Sequence, residues 1–315
     1  MYICGNTMGK ANMNQAALYS HSTQSSGIRP EDVLFVINAN SGKKQPEKIA
    51  AKLQSYHRQI PYKITQTKEE AEATFTQLAP KYKAIVIVGG DGTVNMALPY
   101  LVNLPDLVLA VWPNGSGNGF ARELGFDKNL EGLMRAFRQG ETLDLDVLSI
   151  NNELSVNVSG IGIDSYVAYH FQKSQRRGLV SYLLSTAKAI LQFRDFEARI
   201  HALGHEYSGK YRMIAIANTR QFGNNAIIAP HARPYGGRYE LVLVKPFPFW
   251  KYPEFILKMF TGKLSSSKYI QYLTVKGSTR IFWENDKYHL DGEPKSSVDD
   301  LIVDIMPGQI RVLKR

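Results

Sequence analysis

One cysteine, Cys4, stands in a chain of 315 residues. A lone thiol closes no internal disulfide and excludes any multi-cysteine zinc site; it suits a reducing cytoplasm. Long apolar runs are also missing. Stretches such as Ala84–Val88 and Leu107–Trp112 fall far short of the ~18 residues a spanning helix needs, which excludes a transmembrane protein. No apolar h-region with a small-residue cleavage site is present, so no signal peptide is expected. No repeat of roughly 20–50 residues is visible. Acidic residues are the minority: 28 Asp+Glu face 38 Lys+Arg, a net charge of +10. That excess permits nucleic acid, nucleotide phosphate or an anionic membrane as partner, and a solvated basic surface without a partner would satisfy it equally. What is present is globular: 44% hydrophobic and 21% charged residues exclude wholesale disorder. The length suggests two domains.

Residues 1–29 are rich in Ser, Asn, Gln and Gly without a period, and read as a disordered leader. Gly5–Lys10 glances at a phosphate-binding loop but has the wrong spacing and no preceding strand. From Asp32 the pattern is strand, loop, helix, repeated. Val33–Asn38, Tyr62–Thr65, Ala84–Val88 and Leu107–Trp112 read as strands. Gln45–His57, Lys68–Leu78, Asn95–Asn103 and Phe120–Gln139 read as helices, with Pro99 limiting or kinking the third. Such alternation means an α/β layer on a parallel sheet. After Asp146 the texture changes to short β segments: Leu154–Val158, Tyr211–Ala217, Arg238–Val244, Tyr269–Val275, Arg280–Trp283, Tyr288–Leu290 and Leu301–Ile305. One helical insert, about Leu179–Phe193, interrupts them. The expected division is 1–29 leader, 30–145 with 306–315 as an α/β domain, and 146–305 as a mainly antiparallel β domain.

Gly89-Gly90-Asp91-Gly92-Thr93-Val94-Asn95 sits between a buried strand and a helix. Glycines there let backbone N–H groups approach an anion, and the helix start adds positive potential. Asp91 is placed to hold magnesium or a ribose hydroxyl. A tight strand-to-helix connection alone would explain one or two glycines, not three plus an aspartate. Gly115-Ser116-Gly117-Asn118-Gly119 repeats the geometry one strand later. Neither loop spells the dinucleotide fingerprint. Together they suggest two walls of one phosphate pocket, with Asn38–Gly42 as a candidate third wall or an ordinary turn. His201 and His205 straddle Gly204 in a segment that does not read as a helix, which argues against a shared metal. Asp291-Gly292-Glu293 offers two carboxylates two residues apart, suited to general-base work or to a hairpin turn.

These motifs, in this order, resemble the diacylglycerol kinase catalytic family, which includes bacterial lipid kinases and the sphingosine and ceramide kinases. The resemblance runs from about Val33 to the C-terminus. Gly89–Thr93 with Asn95 matches the family's nucleotide loop and Pro113–Arg122 its second loop. Asn38–Gly42 resembles the first motif, with Ala39 where proline is usual. Thr65 with Ala71, the run from Asp146 through Asn151, Asn157, Gly160, Gly162 and Asp164, Gly178 with Tyr182, and Pro230 with Ala232 follow in register. Asp291-Gly292-Glu293 matches the catalytic segment. The Gly89–Thr93 element alone is shared with NAD kinases and phosphofructokinase-like enzymes.

The resemblance implies an NAD kinase/phosphofructokinase-like α/β domain with a parallel sheet, a C-terminal antiparallel β-sandwich, a cleft between them, and a tail returning to the first domain. It implies ATP held by Asn38, Ser41, Thr65, Gly89, Gly90, Asp91, Gly92, Thr93, Val94, Asn95 and Ser116. It implies Glu293 as proton acceptor with Asp291 and Asp91 in the catalytic set, and Asp91 placing Mg2+. Two departures stand out. Gly119 occupies a position where many bacterial members carry Asp, although the sphingosine-kinase branch lacks it too. Gly236-Gly237 stands about where many carry Asp-Gly, which puts a structural magnesium in doubt.

Pro246–Phe260 carries Phe247, Phe249, Trp250, Tyr252, Phe255 and Phe260 beside Lys251 and Lys258. Gln172–Arg177 adds Lys173, Arg176 and Arg177. Such groups insert at an anionic membrane interface or supply a β-domain core and a solvated face. The expected function is ATP-dependent phosphorylation of a lipid hydroxyl, diacylglycerol or sphingoid-like, by a cytoplasmic, peripherally membrane-associated enzyme, open to homodimerisation. The alternatives are a NAD kinase-like enzyme on a soluble nucleotide and a weakly catalytic nucleotide- or lipid-binding regulator. No nucleic-acid-binding module is visible.

Overall fold

A computed structural model describes residues 27–173, 192–284, 286–297 and 300–315. The leader up to residue 26, most of the insert expected at 179–193, the basic residues Arg176 and Arg177, and the Gly178 and Tyr182 markers lie outside them.

The first domain is built on β1 (Val33–Asn38), β2 (Tyr62–Thr65), β3 (Ala84–Gly89) and β4 (Val108–Pro113), all parallel in the order β2-β1-β3-β4. β1, β3 and β4 are buried almost throughout, as continuous Val/Ile/Leu runs require when both sheet faces are covered. The cover comes from α1 (Pro46–Tyr56), α2 (Lys68–Ala73), α3 (Asp91–Leu101), α4 (Gly119–Glu123) and α5 (Leu130–Gln139). α5 illustrates why. Leu130, Leu133, Met134 and Phe137 share one face and are buried, Asn129 caps the start by accepting from Gly132 N, and left-handed Gly140 ends it.

The second domain is a β-sandwich. One layer is the antiparallel sheet of β7 (Val158–Gly162), β10 (Met213–Ala217), β11 (Tyr239–Val244), β12 (Ile270–Val275), β14 (Lys287–Leu290) and β15 (Glu293–Ser296), ordered β12-β11-β10-β7-β14-β15. The other comprises β5 (Thr142–Ile150), β6 (Glu153–Ser155), β8 (Phe196–Ala202), β9 (His205–Tyr211), β13 (Thr279–Trp283) and half of β16 (Leu301–Leu313). Ile214, Ile216, Leu241 and Leu243 from the first layer share a core with Ile200, Ile281, Leu301 and Val303 from the second.

β16 joins the domains. Its first half pairs antiparallel with β13, and Arg311 and Val312 pair parallel with β4, so one sheet runs through both. Leu301 and Val303 belong to the sandwich core, Ile310, Val312 and Leu313 to the first. The pairing with β5 shifts register between Met306 and Ile310. There buried Asp146 accepts from Gly308 N at 3.0 Å and Gly237 N at 2.7 Å, fastening the bulge to the neighbouring loop.

Local structure departs from the sequence reading at several places. The helix expected at Asn95 begins at Asp91, because the loop residues themselves form its first turn. Pro99 lies inside that helix, which ends at Leu101. The helix expected over Phe120–Gln139 is two, α4 and α5, broken at left-handed Gly125. Strands β8 and β9 are additional: Phe196, Ala198, Ile200 and Ala202 alternate inward, a period masked by the small alanines. The stretch beginning at Pro246 forms a helix, α6 being Ile163–Lys173 and α7 Tyr252–Phe260.

Candidate active site

Three loops gather at the carboxyl ends of β1, β3 and β4, where open α/β sheets place ligands. Side chains sew them together. Asn38 Nδ2 donates to Thr93 Oγ1 at 2.9 Å, and Asn114 Nδ2 donates to Ser41 Oγ at 3.0 Å. The two glycine loops touch backbone to backbone: a Cβ added to Gly115 would lie 2.6 Å from Gly90 Cα. No other residue permits that approach. Left-handed Asn118 closes its own loop, accepting from Gly115 N at 2.8 Å and donating to Gly115 O at 2.9 Å. Thr65 lies buried beneath, and Val94 packs in the core, so neither side chain reaches the loop surface. Ser116 and Gly117 face the cleft.

Asp91 points across the loops. Its Oδ2 accepts from Gly119 N at 2.9 Å and its Oδ1 from Phe120 N at 3.0 Å and Asn157 Nδ2 at 3.4 Å. Enclosure by the loops raises its pKa, against the lowering effect of the two backbone donors; the Asp291 charge adds to the rise. Gly119 therefore serves through its N–H.

From the second domain, β14 and β15 form a two-residue hairpin, with Leu290 opposite Glu293. The turn residues Asp291 and Gly292 both have positive φ, +50° and +89°, as a type I′ turn demands. Asp291 is thereby aimed inward. Its carboxylate accepts from Ser155 Oγ at 2.6 Å and from Val156 N, Asn157 N and Asn95 Nδ2 at 3.0 Å each. Asn95 also donates to Leu154 O at 3.0 Å, so this side chain crosses between domains instead of entering the nucleotide loop. Glu293 follows the turn and returns to the first domain: a Cβ on Gly92 would lie 2.9 Å from Glu293 Oε1. Although solvent reaches Glu293, its carboxylate sits among protein atoms in the cleft. Desolvation pushes its pKa up; Lys295 pulls it down, and Asp291 and Glu153 push it further up.

The hairpin turn lines a cavity of about 210 Å³, together with Asp91, Ser116, Val158, Val167, Phe222 and Phe260. Its wall holds a pair that the sequence reading missed. His289 Nδ1 accepts from Gly292 N at 3.1 Å, so the ring proton belongs on Nε2, which faces Asp164 Oδ2 at 3.0 Å. Ser155, Ser159 and the loop around Gly223 were also missed. Ser159 Oγ accepts from Asp291 N at 3.1 Å, and Gly223 packs on Gly117. A small polar residue in a β-strand carries no signal of a partner so far along the chain.

Among the described residues no cluster of three or more His, Cys, Asp or Glu could hold a metal ion. Asp91 is the one carboxylate in the glycine loops, and three donors already occupy its oxygens. This donor set does not fit a protein-held magnesium. His201 pairs with Glu206 at 3.3 Å.

The chain matches the diacylglycerol kinase catalytic domain over residues 32–150 and the YegS C-terminal NAD kinase beta sandwich-like domain over residues 157–314. It belongs to the diacylglycerol kinase catalytic family of lipid kinases. It is similar to a probable lipid kinase YegS of Salmonella arizonae, 24% identical over 292 residues, 89% of this chain and 95% of that protein. In structure it resembles a diacylglycerol kinase of Bacillus anthracis, with a TM-score of 0.70 at 19% identity, covering 90% of this chain and 97% of that one. The fold extends to an NAD kinase of Archaeoglobus fulgidus solved with ATP, with a TM-score of 0.53 at 14% identity over 90% of this chain and 93% of that one.

Proposed function

We propose that this protein transfers the γ-phosphate of ATP to a hydroxyl group of a membrane lipid, with Glu293 as the proton acceptor. One observation carries the reading: Glu293 Oε1 faces Gly92 at the head of α3, beside the turn that lines the apolar cavity. A phosphate on the glycine loops and a hydroxyl in the cavity would meet there. Phosphoryl transfer asks chiefly for positioning and charge neutralisation. The loop N–H groups and the start of α3 supply the second, with magnesium arriving as part of the nucleotide substrate. Asp91 and Asp291 hold the loops and the hairpin in register. The raised pKa of Glu293 makes it a better proton acceptor than an ordinary carboxylate.

A membrane lipid is favoured over a soluble nucleotide by the surface beside the cavity. Phe249, Trp250 and Leu257 are 63%, 75% and 65% exposed, and Phe260, on the cavity wall, is 37% exposed. Beneath them Phe247 stacks on Phe255 at 5.2 Å, and Arg212 clamps the base by pairing with Asp195 and donating to Phe247 O at 2.6 Å. Lys251, Lys258, Lys263 and Lys268 surround this ridge against one glutamate, Glu254. The Lys251 and Lys258 pairs hold Glu254 down to about 2, so it is ionised at any working pH. Lysines near an anionic surface contribute roughly 1 kcal/mol each. The test is a radiolabelled ATP assay over diacylglycerol, phosphatidylglycerol, a sphingoid base and a monoacylglycerol, with NAD as control. Label on a lipid, lost in Glu293→Gln with ATP affinity retained, is expected. Label on NAD alone would refute it.

A further inference from the structure

We infer that a second cavity, on the seam between the domains, binds a phosphomonoester. Its volume is about 610 Å³, and it shares no wall residue with the acceptor cavity. That volume lies in the ~300–1,000 Å³ range of small-molecule sites. The first domain contributes the end of α4 and residues 312–315 at the end of β16 and beyond it; the second contributes Arg220, Arg233, Arg238 and Glu240.

The charges there are unevenly matched. Arg220 pairs with Glu123 at 2.8 Å, Lys314 with Glu141 at 2.9 Å and Arg315 with Asp127 at 2.5 Å. Arg233 and Arg238 are half-buried, and among the described residues neither side chain makes an ion pair or hydrogen bond. A guanidinium does not shed its proton. Two such groups, partly withdrawn from water in one concavity, carry a desolvation cost that no ion pair offsets. Glu240 is the acid within reach of Arg238. It is buried, its Oε2 has no hydrogen-bond partner, and burial raises its pKa. His231 and Arg238 draw that pKa back down, yet Glu240 closes no ion pair with Arg238, so the guanidinium forks stay open to a ligand.

The missing counter-charge defines the ligand. Paired guanidinium forks match the tetrahedral oxygens of a phosphate dianion. The cavity is larger than inorganic phosphate needs, which leaves room for the body of an ester between Leu124, Leu143 and Tyr239. A free phosphomonoester and a phosphorylated lipid headgroup share this chemistry.

Calorimetric titration of the whole protein with sn-glycerol 3-phosphate tests the site. A saturating non-hydrolysable ATP analogue keeps the glycine loops filled. Wild-type protein should bind, and Arg233→Ala with Arg238→Ala should weaken binding about a hundredfold, roughly tenfold per guanidinium lost. The Arg233→Lys, Arg238→Lys variant keeps the charge and guards against misfolding; it should bind more weakly than wild type but measurably. Competition by phosphatidylcholine vesicles containing phosphatidic acid would assign the ligand to a lipid headgroup, and its absence to a soluble ester. No binding by wild type, or equal binding by wild type and both variants, would overturn the inference.

Discussion

Replacing Asp291 by asparagine separates a structural from a chemical role for the hairpin turn. Each carboxylate oxygen accepts two hydrogen bonds, Oδ1 from Ser155 and Asn157 N, Oδ2 from Val156 N and Asn95. Asparagine has the same shape but only one accepting oxygen. Whichever way the amide turns, a backbone N–H faces an NH2 group: Asn157 N in one orientation, Val156 N in the other. Ser155 can rotate its hydroxyl to compensate; a backbone N–H cannot. Hydrogen bonds to a charged group contribute about 1.5–3 kcal/mol each, so losing two, with some relief by Ser155, costs about 2–4 kcal/mol. For a protein of this size that corresponds to a fall in Tm of roughly 3–6 °C. Differential scanning fluorimetry reads it directly. Adding Asn95→Ala should cost less in the Asp291→Asn background than in wild type, by about 0.5–3 kcal/mol of coupling, because the two side chains share a bond. A Tm within about 1 °C of wild type, with activity lost, would refute the argument and return Asp291 to direct chemistry.

Gly115→Ala would drive a Cβ to 2.6 Å from Gly90 Cα, where carbon contacts prefer about 3.5–4.0 Å, so the loops must part by about 1 Å. ATP affinity by calorimetry should fall sharply with the fold intact, since displacements of this size cost about a hundredfold. The pH profile of kcat/KM should have an acidic limb set by Glu293. The acceptor must be ionised, so activity is lost as pH falls through its pKa, and desolvation places that limb above the ordinary carboxylate range. Glu293→Gln should lower kcat by at least about a hundredfold and abolish the limb. Trp250→Ser with Leu257→Ser should reduce co-sedimentation with anionic vesicles while activity on detergent-dispersed lipid persists; residual binding in both should fall with salt.

Much of the nucleotide side was legible because its logic is local. A buried apolar run followed at once by Gly89-Gly90-Asp91-Gly92 needs only neighbouring residues to announce an anion-binding turn, and Asp291-Gly292 announces a hairpin by backbone conformation alone. Roles that depend on distant partners were harder. Asn95 reads as part of the nucleotide loop, yet its amide crosses to Asp291. His289 sits in an ordinary β-strand pattern, and nothing nearby marks Asp164 as its partner. The aromatic stretch is similar: Phe247 is core and Trp250 is solvent-exposed, three residues apart, because Trp250 sits in the short turn Phe249–Lys251, none of whose residues is buried.

The sequence by itself determined the two textures, the parallel α/β layer and the antiparallel half, since buried runs and hydrophobic periods are set residue by residue. It also determined the lone thiol, the lack of spanning helices and the net charge of +10. Only the tertiary structure decided where that charge goes. It leaves Arg233 and Arg238 without ion-pair partners at the domain seam and sets lysines around an apolar ridge on the second domain. It also decided that Gly92 and Glu293 meet. Contacts between segments far apart in the chain arise from how two cores dock through one shared strand, β16, and no local pattern encodes that docking.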